Sequence, residues 1–190
     1  MRSVLMSIRP KWCELIAKGQ KTVEVRKTRP KLETPFKVYI YRTKGFIRHL
    51  CNGKWWNMPV GGTVIGEFVC DEIREIGFSP YNHGEYTCEE RTYIEQTGLT
   101  FDEMFEYLGE GYGYGWHISD LVIYEEPKNL SDFRVPCREY DKERPACGDC
   151  EYYYYESNDS VGFYDECGCD GMKHITRPPQ SWCYVEEVKQ

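Results

Sequence analysis

Lys21, Thr22, Glu24 and Arg26 stand close together in the run Gly-Gln-Lys-Thr-Val-Glu-Val-Arg-Lys that spans 19–27. Period-two geometry puts Val23 and Val25 on one side of an extended strand and Thr22, Glu24 and Arg26 on the other, the pattern of a half-buried strand. The planar fork of a guanidinium suits a phosphate or a base edge. A carboxylate on the same face either orients that fork or accepts from a base amino group, as carboxylates do with cytosine. The opposing reading is an exposed Glu24–Arg26 ion pair, worth little. Just upstream, Arg9 and Lys11 flank Pro10 at the start of a helical pattern, and a helix N-terminus favours anions.

Other residues extend this list. Glu67 shares a strand face with Ile65 and Val69, so its carboxylate is expected to be partly buried and to need a cation. Lys21 and Arg26 are the candidate partners, in an ion pair that braces the fold. Trp55 and Trp56, beside Lys54, offer stacking surfaces for bases, and Trp116, after a glycine-rich turn, offers a third. Core packing is the alternative for each of these rings. His49, His83, His117 and His174 are isolated, and no serine or cysteine sits in a nucleophile turn.

Five of the ten cysteines crowd together: Cys137, then Cys147-x-x-Cys150, then Cys167-x-Cys169. A two-residue gap lets both thiolates of a tight turn reach one ion, and a second sulfur pair further on completes a tetrahedron. Four of these five are therefore expected to hold a structural Zn²⁺ that staples a long insertion poor in apolar residues. Disulfides would need an oxidising compartment, for which nothing argues, and free thiols are the remaining reading. Cys13, Cys51, Cys70, Cys88 and Cys183 are scattered singly, as small buried hydrophobes are.

The elements that must position these residues read as follows. Val4–Met6 is a first strand, 10–18 a short helix closed by Gly19, then 22–26 and 36–43 are strands. The segment 44–58 reads as a long basic, aromatic loop ending in a Gly-Gly turn. Residues 63–73, 117–128 and 181–188 are strands, and 87–108 carries two short helical patterns. The 190 residues suit one domain spanning 1–190, 41% hydrophobic and 29% charged. No apolar run approaches a membrane span, and the start breaks at Arg9-Pro10 before any signal-peptide core, so a cytoplasmic protein with no membrane partner is expected.

The net charge of −7 hides an asymmetry: residues 1–60 hold 14 Lys/Arg and 3 Asp/Glu, and the remainder holds 10 and 28. Either the chain folds with a basic face, which attracts phosphates, or its halves neutralise each other across the fold.

Taken in order, 5–27 with its Gly-x-Lys-Thr-x-Glu-x-Arg core, Val38–Thr43, 61–73, 115–133 and 177–187 resemble the ASCH domain family, specifically the longer members common in bacteria and their mobile elements. The resemblance implies an α+β fold with a PUA-like β-barrel, here with a helical insertion at 87–108 and a cysteine-rich one at 137–170, where similar members also carry cysteines. It implies binding of RNA or another nucleic acid in a cleft between the first helix and the barrel; acidic segments from residue 61 onward would repel a long duplex, so RNA, a single-stranded nucleic acid or a modified nucleotide is expected there. Lys21, Thr22, Glu24 and Arg26 match the family motif and would line that cleft, with Arg9 near it. Some small ASCH proteins are amidohydrolases of an acylated cytidine, using a lysine, a threonine nucleophile and a glutamate. Lys21 matches the lysine, but Glu24 stands where the threonine belongs, so the balance is against an enzyme. A hydrolase built on Lys21, Glu24 and Glu67 is the runner-up, and a protein-interaction module of a mobile element, its protein partner unknown, is the second alternative.

Overall fold

The structure, a computed structural model, describes residues 2–77, 88–109, 111–136 and 172–187. The chain begins with β1 (Ser3–Ile8), α1 (Pro10–Ala17), β2 (Val23–Arg26) and β3 (Phe36–Arg42). Next come β4 (Gly45–Cys51), β5 (Lys54–Val60), β6 (Thr63–Cys70) and β7 (Ile73–Gly77). The helices α2 (Cys88–Glu95) and α3 (Phe101–Leu108) follow, then β8 (Tyr112–His117), β9 (Ser119–Lys128), β10 (Phe133–Pro136), β11 (Met172–His174) and β12 (Trp182–Glu187). The fold is α+β, mostly strands with few helices. No helix among the described residues is long and apolar enough to cross a membrane. Cys137, Cys147, Cys150, Cys167 and Cys169 lie outside the described residues, as does His83.

A seven-stranded sheet runs β11-β10-β12-β1-β3-β6-β9, and a three-stranded sheet runs β2-β8-β7. β1 and β3 pair in parallel, with α1 and β2 between them in sequence; the other ladders are antiparallel. Two long strands pass from one sheet to the other. β6 bends into β7 across 71–72, and β8 bends into β9 across Ile118, where the His117 N–H donates to Glu72 O at 2.9 Å. Strands that bend between sheets make the corners of barrel-like packings.

The main core lies between the sheets and α1, where Val4, Met6, Ile8, Cys13, Ile16, Val38, Ile40, Phe68 and Trp116 meet. Alternate residues of the same strands, Leu5, Tyr39 and Tyr41, build a second core with Phe133 and Val185 on the opposite face. The central strands β1 and β3 are thus buried on both sides, as their continuous apolar runs require.

Two expectations need correction. The stretch 44–58 is no loop but the β4–β5 hairpin, with Arg48 opposite Asn57 and Leu50 opposite Trp55. Asn52 and Gly53 at its tip have φ of 51° and 73°, and such a pair of positive values is what a type I′ hairpin turn demands. The glycine-rich "turn" before Trp116 is β8. A Cβ at Gly113 would lie 2.5 Å from Leu108, and one at Gly115 would lie 2.5 Å from the Tyr93 hydroxyl. Alternating glycines strip one face of the strand, so that the helical insertion sits directly on its backbone.

Of the scattered cysteines, Cys13 and Cys70 are buried as small hydrophobes, Cys183 is half-buried and Cys51 is exposed. Burial pushes the thiols of Cys13 and Cys70 up to about 12.

Candidate functional site

The site is built where β2 passes between α1 and the helical insertion. β2 is not half-buried: all four of its residues are enclosed. Val25 packs into a third apolar cluster with Ile76, Met104 and Leu108, so the insertion covers the face that would otherwise meet water. The opposite face carries the charges. Lys21, Glu24 and Arg26 are 2%, 6% and 7% exposed.

Lys21 precedes β2 and turns its ammonium inward. It donates to the Val23 carbonyl at 2.8 Å and to the Thr97 carbonyl at 2.6 Å. Glu24 Oε2 lies 3.2 Å from the same nitrogen. Glu24 Oε1 takes the Arg26 Nη2 at 2.8 Å, and Nη2 also donates to the Ser7 carbonyl at 2.7 Å. Nη1 reaches Ser181 Oγ only at 3.5 Å. Glu24 Oε2 and Arg26 Nε, both buried, make no hydrogen bond. Each buried ion costs several kcal/mol to desolvate in general, so such a cluster depends on its partners.

These charges form one wall of a cleft of about 870 Å³. Arg9, Trp12, Lys27, Tyr107 and the 178–181 segment complete it, together with Glu103 and Glu106 of α3. The N-terminus of α1 opens beside it through Arg9, its N-cap. Across the rim, the Lys11 ammonium donates to Glu103 at 2.8 Å. That bond, followed by the Thr100 N–H of the capping box, holds the Glu103 carboxyl below its ordinary range. The insertion is thereby tied to α1 outside the cleft and to Lys21 inside it.

Of the residues expected from the sequence, Arg9, Lys21, Glu24 and Arg26 come together on this cleft. The others do not. Thr22 lies outside its wall, where its backbone pairs with Gln96 and Ile118. Trp116 is completely buried and packs edge-on to Phe36 with ring centroids 5.6 Å apart, so no base reaches it. Trp55 and Trp56 sit on the hairpin, away from the cleft wall. Glu67 is not paired to Lys21 or Arg26: it accepts from Lys37 at 2.6 Å and from the Tyr124 hydroxyl. Glu67 therefore stands apart from Lys21 and Glu24, outside the cleft wall. Beside the cluster, the Cys13 thiol is pushed up to about 12 by its burial and then by the nearby Glu24 carboxylate.

Sequence reasoning missed Trp12 and Tyr107 as the aromatic members of the cleft. The Lys11 ammonium lies 4.2 Å from the Trp12 ring centroid. Trp12 was legible, being next to Lys11 on the first turn of the helix; Tyr107 and Glu106 gave no local signal. Among the described residues, no group of three or more His, Cys, Asp or Glu side chains is placed to hold a metal ion.

Comparison with known proteins agrees with this architecture. A crystal structure of a serine-to-alanine mutant of the ASCH protein from Zymomonas mobilis matches 98% of this chain and 89% of its own, at 16% identity and a TM-score of 0.55. That likeness shows the fold, a PUA-like barrel type. The unmutated Zymomonas mobilis protein matches 67% of this chain and 73% of its own, at 19% identity and a TM-score of 0.49. No curated protein matches the sequence. The ASCH domain family matches residues 6–150, far more than half of the sequence, and the chain belongs to that family.

Proposed function

We propose that the cleft binds a single-stranded nucleic acid end or a modified nucleotide, with the Lys21–Glu24–Arg26 cluster as its floor. The ASCH domain family is in general nucleic-acid-associated and PUA-like in fold. The observation that carries the finer reading is the burial of two cations and one carboxylate together in the wall of a cleft roomy enough for a nucleotide.

The cleft wall holds four cations, Arg9, Lys21, Arg26 and Lys27, against three carboxylates, Glu24, Glu103 and Glu106. The balance favours one anionic group, and the glutamates of α3 repel a long duplex. Arg26 is already bound to Ser7 and Glu24, so its work is to fix Glu24 rather than to grip phosphate with a free fork. Phosphate falls to Arg9 and Lys27, both exposed on the wall. Trp12 and Tyr107 supply faces for a base, and Glu24 an acceptor for its amino group.

Titration with nucleoside monophosphates and short RNA and DNA oligomers tests this, wild type beside Arg9→Ala and Tyr107→Ala. Both are surface positions whose loss leaves the buried cluster intact. Weaker binding in both variants is expected; binding indifferent to both would remove the ligand from the cleft. Turnover of an acylated nucleoside would replace binding with hydrolysis as the site's role.

The cysteine spacing supports, separately, a structural Zn²⁺ on four of Cys137, Cys147, Cys150, Cys167 and Cys169. A metal content near one per chain is expected, and purified protein without metal would count against it.

A further inference from the structure

The hairpin of β4 and β5 has no role in the cleft, and its composition is unusual for its exposure. Among the described residues, Phe46, Leu50, Trp55, Trp56 and Met58 are five of the eleven large apolar side chains left exposed. Trp55 and Trp56 are each 61% exposed. As neighbours on one strand they point to opposite faces of the ribbon, so each face presents an indole.

Charge decides what such a surface fits. Lys44, Arg48 and Lys54 lie on this segment and residues 44–60 contain no acid, although the chain as a whole carries −7. Elsewhere the halves do neutralise each other, as Lys11 with Glu103 and Lys37 with Glu67 show. On the hairpin no such pairing forms among the described residues. The Arg48 guanidinium instead sits 5.6 Å from the Trp55 ring centroid, which places a cation beside any base stacked there.

The hairpin also starts at the cleft. Thr43 lines the cleft, Lys44 follows, and Gly45 meets Pro10 of α1 so closely that a Cβ would lie 3.1 Å from the ring. From that root each strand is seven residues long, about 23 Å at the usual rise. A chain leaving the cleft on this side meets the ribbon next.

We propose that the β4–β5 hairpin is a second nucleic-acid site, an arm around whose edge a single strand passes, its bases stacking against Trp55 on one face and Trp56 on the other while Lys44, Arg48 and Lys54 meet its phosphates. This extends the reading of the cleft, and each site is tested apart from the other. Flat aromatic faces interleaved with cations suit a base-bearing polyanion better than an acidic peptide, which would use the charges and leave the indoles wet.

The test measures binding of a fluorescent oligo-dT or oligo-U and of a nucleoside monophosphate, with polyglutamate as the competing polyanion. Full-length wild type is compared with Trp55→Ala/Trp56→Ala and with Trp55→Phe/Trp56→Phe. The alanine pair is expected to weaken oligomer binding at least about tenfold, with the phenylalanine pair recovering most of it and monophosphate binding unchanged in both. Oligomer binding unaffected by the alanine pair would overturn the proposal even if the cleft binds the monophosphate. Polyglutamate displacing the oligomer at equal charge would overturn it in favour of an acidic protein partner. Oligomer binding lost in the alanine pair, with no monophosphate binding in wild type, would uphold the arm and sink the cleft.

Discussion

On β2 the charges of Glu24 and Arg26 are buried with Lys21, whereas on the β4–β5 hairpin Phe46, Leu50, Trp55 and Trp56 stand in solvent. Both segments reverse the ordinary placement of polar and apolar side chains, in opposite directions. Polar side chains survive burial on β2 because they pair with one another and with Ser7 of β1, Thr97 of the insertion and Ser181. Apolar side chains stay exposed on the hairpin because, among the described residues, it is a two-stranded ribbon with no further strand paired to it. Neither arrangement is what stability alone selects: a buried ion cluster is often no better than an apolar one, and exposed patches invite association. The first reversal lies in the proposed nucleotide cleft, rigid and enclosed; the second lies on the proposed arm, projecting from the fold.

The sharpest way to break the contrast is to remove the carboxylate. Glu24→Gln leaves the Lys21 and Arg26 charges facing each other inside the fold, and a loss of about 3–5 kcal/mol in urea denaturation is expected. Wild-type stability in that variant would mean that water already reaches the cluster.

A smaller effect is expected at Gly115, where β8 pairs with β2 and carries Tyr93 on its bare face. The added methyl of Gly115→Ala would lie 2.5 Å from the Tyr93 hydroxyl and 2.7 Å from Ile76. The Tyr93 and Ile76 side chains must then shift, at about 1–3 kcal/mol, and ligand binding should weaken if the insertion moves with Tyr93.

Smaller again is the rim. The Glu103 carboxyl is lowered by Lys11, so the bond contributes stability above the carboxyl's ordinary value of 4.5, lost as pH falls through the lowered one. Both side chains are well exposed. Lys11→Met should therefore cost less than about 1 kcal/mol at neutral pH, with the gap to wild type closing in acid. A gap that persists at low pH would assign the loss to packing against Trp12.

Least affected in stability is the hairpin, where Trp55→Ala/Trp56→Ala should shift unfolding by no more than about 0.5 kcal/mol. A larger loss would show that the indoles are structural.

How far these features can be seen in the sequence differs between the two regions. The helix at 10–18 and the strands near 22–26, 36–43 and 181–188 follow from periodicity and from Pro10 and Gly19, and the Lys21–Arg26 motif located the cluster. The strand's second burial came from an insertion some eighty residues away, which no local pattern encodes. Trp116 looked accessible because its glycines read as a turn; they are the gaps into which Tyr93 and Leu108 fit. The hairpin was legible and overlooked: Asn52-Gly53 between aromatic runs is the strongest short hairpin signal there is. Glu67 was rightly expected to need a cation, but its partner is set by β3–β6 register, which brings Lys37 opposite Val69 and so beside it.

The central claim is that the cleft holds a nucleotide, and the most direct test is the salt dependence of binding to a short single-stranded oligomer. Wild type is compared with Arg9→Ala/Lys27→Ala, which removes two exposed cations and leaves the cluster intact. Each phosphate contact contributes about 0.7 to the slope of log K against log salt for single strands. The expected result is weaker binding with a slope shallower by about 1.4. An unchanged slope and affinity would contradict the placement of nucleic acid in this cleft.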